Sequence, residues 1–253
     1  FIKIEYDNLQ ALEEALESSS DIAGFLVEPI QGEAGVYVPS EGYLAKAKAL
    51  CEKYNVLFIA DEVQTGIART GRLLATCGNC SCAEKDCSGT PEVKADILIL
   101  GKALSGGVYP VSAVLADDSV MNVIKPGNHG STFGGNPIAA AVAMAALEVV
   151  KNERLANNAE ELGHLFRGLL NDYIKTSNIV ALVRGKGLLN AIVINDSEDG
   201  DTAWNICLRL RDNGLLAKPT HGNIIRFAPP LVLTEEQLHE CVDIIESVVA
   251  TYG

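Results

Sequence analysis

Ala95–Gly107 reads A-D-I-L-I-L-G-K-A-L-S-G-G. Its centre, Ile97-Leu98-Ile99-Leu100, is an unbroken apolar run, the pattern of a short strand buried on both faces in a parallel sheet. Gly101 ends the run, Lys102 stands at the strand's carboxyl end, and Ser105-Gly106-Gly107 supplies a tight turn. Open α/β sheets gather their chemistry at the carboxyl ends of their strands. A lysine there, among apolar neighbours that favour its neutral form, can attack an aldehyde as an amine. Taken alone, the pattern also suits an ordinary surface lysine that follows a strand.

A second apolar run, Val56-Leu57-Phe58-Ile59-Ala60, ends on Asp61-Glu62-Val63-Gln64 and is followed by the turn-rich Thr65-Gly66 and Arg69-Thr70-Gly71-Arg72. Two buried strands therefore end on an acid and on an amine. Pyridoxal phosphate chemistry needs this pair: a lysine for the Schiff base and a carboxylate that keeps the pyridine nitrogen protonated.

Outward from these runs, strands alternate with amphipathic stretches, which predicts βαβ units and a parallel sheet. Residues 1–4 read as part of a strand. Asp7 reads as the N-cap of a helix that carries Leu9, Leu12 and Leu16 on one face. A strand over 24–27 ends on Glu28-Pro29, and a helix over about 41–54 leads into the Val56 run. A strand over 110–115 and a short helix over 118–124 follow Lys102. Pro137 suits the first turn of an Ala-rich helix running toward Lys151, with a second helical stretch over 153–176. Beyond it the pattern gives a strand at 179–183, a turn at 185–187 and a returning strand at 188–194. A helix over 202–213 stops at Gly214 as its C′ residue, and a strand covers 224–227. The last helix opens on Thr234 with Gln237 three residues on, a capping-box pattern.

The chain has 253 residues, 48% hydrophobic and 21% charged, with mean hydropathy +0.17, enough for a substantial core. A net charge of −13 and a pI near 4.7 argue against nucleic acid or an anionic membrane as partner. No apolar run approaches the roughly 20 residues needed to cross a bilayer, so the expectation is a soluble protein. The chain opens on Phe1 without a signal or transit pattern, as if within a domain. Its cysteine usage is not that of a secreted disulfide framework, which points to an intracellular compartment, cytoplasmic or mitochondrial. Cys51, Cys207 and Cys241 stand singly in helical patterns and read as small apolar fillers.

Five strings, V-E-P-I-Q-G-E-A-G-V (27–36), A-D-E-V-Q-T-G (60–66), L-G-K-A-L-S-G-G (100–107), H-G-S-T-F-G-G-N-P (129–137) and I-I-R-F-A-P-P-L (224–231), stand in an order that resembles the class III pyridoxal-phosphate-dependent aminotransferases. The likeness runs along essentially the whole chain. It implies an α/β architecture of fold type I: a large domain with a mostly parallel sheet over residues 1–154, and a smaller α+β carboxyl-terminal domain over 155–253. It also implies that the chain corresponds to the carboxyl-terminal portion of a longer enzyme. The portion before it would hold the main phosphate-binding turn, the aromatic stacked on the cofactor ring and much of the substrate pocket.

Carried over residue by residue, the resemblance makes Lys102 the Schiff-base lysine and proton shuttle, and Asp61 the partner of the pyridinium nitrogen. Val63 would pack against the cofactor ring and Gln64 would bond the ring hydroxyl. Ser131 and Thr132, in a glycine-rich turn before a helix, would reach the phosphate in the neighbouring subunit of a homodimer. Arg226 would grip the α-carboxylate of glutamate and 2-oxoglutarate through its planar fork. Glu33 would cover that arginine while L-ornithine presents its δ-amine. No metal belongs to this set. The implied reaction moves the δ-amino group of ornithine to 2-oxoglutarate, yielding glutamate 5-semialdehyde, hence pyrroline-5-carboxylate, and glutamate. An aminotransferase for N-acetylornithine or another ω-amino acid is the neighbouring alternative within the family.

Cys77, Cys80, Cys82 and Cys87 crowd one loop that departs from the family. Their spacing would allow tetrahedral zinc, redox-sensitive disulfides or a plain surface loop. A non-catalytic product using this loop for metal or partner binding is the alternative outside the enzyme class.

Overall fold

The apolar runs of the first half become a four-stranded sheet. The structure, a computed structural model, describes residues 1–78 and 93–253. Cys80, Cys82 and Cys87 lie outside the described residues, so the cysteine-loop alternatives do too. The described residues group into two units, Phe1–Pro29 with Pro39–Ile67 and Leu74–Glu153, and Ile30–Val38 with Ala68–Leu73 and Arg154–Gly253.

The first unit contains α1 (Leu9–Ser18), β1 (Gly24–Val27), α2 (Tyr43–Lys53), β2 (Leu57–Asp61), β3 (Ile97–Leu100), β4 (Ala113–Ala116), the single turn α3 (Asp118–Met121) and α4 (Pro137–Asn152). The sheet order is β1-β2-β3-β4, with β1, β2 and β3 parallel and β4 antiparallel to β3. Leu12 and Leu16 of α1 and Tyr43, Ala47 and Cys51 of α2 bury against Phe58 and Ala60 of β2. Asp96, at the head of β3, fixes the start of the β2–β3 pair. Its carboxylate accepts the Phe58 N–H at 2.7 Å and both oxygens lie 2.8 Å from Lys48 Nζ. Asn136 caps α4 by accepting the Ala139 N–H at 2.8 Å, with Pro137 in the first turn as expected.

Five sequence expectations change here. No strand forms over residues 1–4. Asn8, not Asp7, caps α1, accepting the Ala11 N–H at 2.9 Å. Asp7 is engaged elsewhere, accepting the Ser40 N–H at 2.8 Å and its hydroxyl at 2.7 Å. The strand expected over 110–115 starts later, where backbone pairing with β3 begins, and the helix over 118–124 shortens to α3. Ile97, Leu98 and Ile99 are half-buried rather than enclosed on both faces, and Val114 and Leu115 of the neighbouring β4 are exposed.

The second unit is α5 (Leu155–Ile174), β5 (Val180–Lys186), β6 (Leu189–Ile194), α6 (Thr202–Asp212), β7 (Lys218–Thr220), β8 (Ile224–Phe227) and α7 (Glu235–Val249). Its sheet is antiparallel throughout, in the order β5-β6-β8-β7. Alternation along the strands divides the side chains between two faces. Ile192, Ile194, Ile225 and Phe227 meet Phe166, Ile206, Leu210, Leu238 and Ile245 of the three helices. Leu189, Ala191 and Ile224 face the other way and enclose Ile30 and Val36. Thr234 and Gln237 form the expected capping box at α7. Cys51 in the first unit and Cys207 in the second are buried fillers, and burial pushes their thiols up to about 11 and about 12.

The β5–β6 turn falls on Gly187-Leu188, later than expected, because the ladder continues to the Lys186–Leu189 pair. Gly187 has φ +54°, and a Cβ there would come within 2.4 Å of the Thr70 carbonyl carbon. Only glycine lets the Arg69–Gly71 backbone lie this close. The Leu188 N–H donates to the Arg69 carbonyl at 3.0 Å. The Arg69 guanidinium donates to the Leu188 and Pro229 carbonyls at 3.1 and 2.6 Å, and burial lowers it to about 10, still charged at neutral pH.

Candidate functional site

Parallel pairing places Asp61 opposite Ile99, so the last residue of β2 and the residues following β3 share the carboxyl edge of the first unit's sheet. Neighbouring strands there lie about 4.8 Å apart. The Val63 N–H donates to Asp61 Oδ1 at 3.0 Å, which fixes the carboxylate's direction at the turn. Val63 lies over Gly101, where a Cβ would stand 3.3 Å from Val63 Cγ1. Lys102 opens a single 3-10 turn with φ +42°, in the left-handed region. For a residue with a Cβ that conformation costs about 1–2 kcal/mol. Buried Leu104 and Ser105 hold the turn from below, and the Lys102 side chain is exposed with no ion pair among the described residues. The result is an amine, a carboxylate and an apolar side chain held by neighbouring strand ends, a donor set that suits pyridoxal phosphate.

Glu62 is the residue that sequence reading passed over. It is 1% exposed, and its two oxygens accept the Ala75 N–H at 3.0 Å, the Thr76 N–H at 2.8 Å and the Thr65 hydroxyl. Its own N–H donates to the Ile99 carbonyl at 3.0 Å and its carbonyl accepts the Gly66 N–H at 2.9 Å. The Glu62 backbone thus ties the turn after β2 to β3, and its buried carboxylate ties that turn to residues 75–76. The threonine three positions on, within D-E-V-Q-T-G, was the only local sign of this role. Gln64 sits half-buried in the same turn.

Ser131 and Thr132 lie exposed in the turn that precedes α4, where Ser131 Oγ accepts the Gly134 N–H at 3.0 Å. Among the described residues they make no hydrogen bond to Asp61 or Lys102.

The second unit assembles a different group. Arg226 shares the Ile224 face of its sheet, and its register partner on β7 is Lys218. Glu33 bridges the two cations: Oε2 is 2.5 Å from Arg226 Nη1 and Oε1 is 2.7 Å from Lys218 Nζ. The Lys218 and Arg226 bonds, in that order, hold the Glu33 carboxyl below its usual range. Thr220 donates its hydroxyl to the Glu33 carbonyl at 3.0 Å.

The loop that carries Glu33 is tightly built. Gln31 and Tyr37 form a bridge, and buried Val36 takes φ +59°, rare for a β-branched residue. Arg184 donates to the Gly35 carbonyl at 2.8 Å and stacks 3.8 Å from the Tyr37 ring centroid. Sequence reading paired Glu33 with Arg226 but missed Lys218 as the second cation. Strand β7 has only three residues with Pro219 in the middle, a composition tolerated at a sheet edge.

No group of histidines, cysteines and carboxylates suited to a metal occurs among the described residues. Nor is any described helix long and apolar enough to cross a membrane.

Comparison with known proteins places these groups in context. The family described as aminotransferase class-III matches residues 3–249. The mitochondrial ornithine aminotransferase of Drosophila melanogaster is 60% identical over 249 residues, covering 98% of this chain and 54% of the relative. The chain thus spans about half the length of that relative. The crystal structure of acetylornithine aminotransferase from Elizabethkingia anophelis is 63% identical with TM-score 0.92, covering 99% of this chain and 63% of the other. The structure of ornithine aminotransferase PY00104 from Plasmodium yoelii is 51% identical with TM-score 0.91, covering 100% and 63%.

Proposed function

Since the chain belongs to the class-III aminotransferases, we propose that it serves pyridoxal-phosphate-dependent transfer of the δ-amino group of L-ornithine to 2-oxoglutarate. The products are glutamate 5-semialdehyde, which closes to pyrroline-5-carboxylate, and glutamate. The observation that carries this assignment is Glu33 seated on Arg226. A guanidinium suited to an α-carboxylate is covered by an internal carboxylate. A diamine donor then has no reason to anchor its α-carboxylate there, and offers its distal amine instead. When the dicarboxylic acceptor arrives, Glu33 yields Arg226 to it.

Bound pyridoxal phosphate supplies an aldehyde and an electron-poor ring that stabilises negative charge at the substrate carbon. Lys102 would hold the group through its amine and would move a proton to and from the substrate carbon. Asp61 holds the proton of the ring nitrogen, with its direction set by the Val63 N–H. Val63 offers the ring an apolar surface, Gln64 an amide for the ring hydroxyl, and Ser131 and Thr132 hydroxyls for the phosphate of a partner subunit. A homodimer follows from that sharing, supported by exposed Val108, Phe133, Ile138 and Met144. An intracellular location goes with the assignment, the fly relative being named mitochondrial.

N-acetylornithine is the second candidate donor, favoured by the 63% identity to a structure of that activity. The Glu33 cover suits either amine. Full-length protein loaded with cofactor and 2-oxoglutarate should form pyrroline-5-carboxylate from ornithine at a kcat/KM at least about tenfold above its rate with N-acetylornithine. The reverse preference would reassign the donor, and no turnover of either amine would refute the aminotransferase assignment.

A further inference from the structure

Lys218 and Arg226 are register partners on adjacent antiparallel strands, so their side chains leave the same face of the sheet. Glu33 lies across both, one oxygen to each cation. The loop backbone beneath Glu33 is pinned by the Gln31–Tyr37 bridge, by Arg184 at Gly35 and by Thr220 at Glu33 itself. Any release of Arg226 therefore falls to the Glu33 side chain, which has Lys218 beside it.

Charge counting gives Lys218 its role. Lys218, Arg226 and Glu33 together carry a net +1. A substrate carboxylate on Arg226 brings the cluster to neutrality. Without Lys218 the pair starts neutral and becomes net negative, with Glu33 facing the incoming carboxylate as a like charge. Resting on the reading of Arg226 as the acceptor's carboxylate site, we propose that Lys218 is a specificity-determining residue. It keeps Glu33 neutralised when Glu33 leaves Arg226, and so favours dicarboxylic 2-oxo acids over the diamine donor, whose binding leaves Glu33 in place.

The test uses full-length protein with cofactor, comparing wild type, Lys218→Gln and Lys218→Arg. Lys218 is 63% exposed at its side chain, so neither change disturbs a core. Glutarate serves as a non-reacting dicarboxylate for equilibrium titration, and the ornithine and 2-oxoglutarate half-reactions are followed separately. In Lys218→Gln the glutarate Kd and the KM for 2-oxoglutarate should each rise about tenfold, several times the change seen with ornithine. Lys218→Arg should recover most of that loss. Unchanged glutarate affinity, or an equal loss in both half-reactions that arginine does not rescue, would overturn the proposal. Wild-type protein inert toward ornithine but losing glutarate on Lys218→Gln would defeat the donor assignment and uphold the role of Lys218.

Discussion

The two charged groups of this chain are built by opposite means. In the first unit, Asp61 and Lys102 owe their places to backbone: parallel register, a glycine that admits Val63, a left-handed turn and a buried carboxylate that ties the loop down. In the second, strand register and a pinned loop place Lys218, Arg226 and Glu33, but the three are joined to one another by side-chain ion pairs alone, with Glu33 57% exposed. Backbone-built placement resists rearrangement, as a group that must present an amine and a carboxylate at fixed positions requires. An ion pair made by the half-exposed Glu33 side chain can exchange partners without moving the backbone, which suits the proposed passage of Arg226 from Glu33 to a substrate carboxylate.

Changes on the first side of this contrast should be severe. Lys102→Ala removes the amine for which nothing else on that sheet edge substitutes among the described residues, and turnover should fall at least about a thousandfold. Borohydride reduction of the cofactor-loaded wild type, followed by peptide mapping, should label Lys102 alone. Labelling spread over other lysines would mean that the rigid group is misassigned.

Glu62→Ala probes whether the backbone scaffold depends on its buried acid. It would strand the donors of Thr65, Ala75 and Thr76, and the expected loss is about 2–4 kcal/mol of stability. Glu62→Gln, which keeps one acceptor oxygen, should lose less. Chemical denaturation of both variants would show it, and an unchanged midpoint for Glu62→Ala would remove Glu62 from the scaffold.

The smallest effect belongs to the exposed clamp. Bonds from Lys218 and then Arg226 depress the Glu33 carboxyl in the folded state. Its contribution is therefore complete above the ordinary carboxylate value near about 4.3 and is lost as pH falls through the lower folded value. The difference in melting temperature between wild type and Glu33→Gln should be flat from about pH 6 to 9 and shrink only in acid. A difference that changes with pH inside that neutral window would show that Glu33 is not the titrating clamp.

Much of this was legible in the sequence, for local reasons. The strands at 24–27 and 97–100 are apolar runs, the strand at 224–227 is apolar apart from Arg226, and α7 announces its start through Thr234 and Gln237. The strand ends that carry Asp61 and Lys102 could be read directly, as could the pairing of Glu33 with Arg226 through the family strings. What escaped depends on partners distant in the chain. Asp7 looks like a cap until Ser40 claims it, and β7 exists only because Lys218–Thr220 finds β8. Glu62 drew no reading, since its partners at 75 and 76 follow more than a dozen residues later.

Lys102 sits where glycine would be at ease. Random drift at this codon therefore has a downhill direction as far as folding is concerned: loss of the side chain relieves the backbone. On the role proposed for Lys102, chemistry and not folding would hold the lysine in place. Lineages released from that constraint would be expected to lose Lys102 early while keeping the surrounding sheet, so that a well-folded relative with glycine at this position would mark abandonment of the reaction rather than decay of the fold.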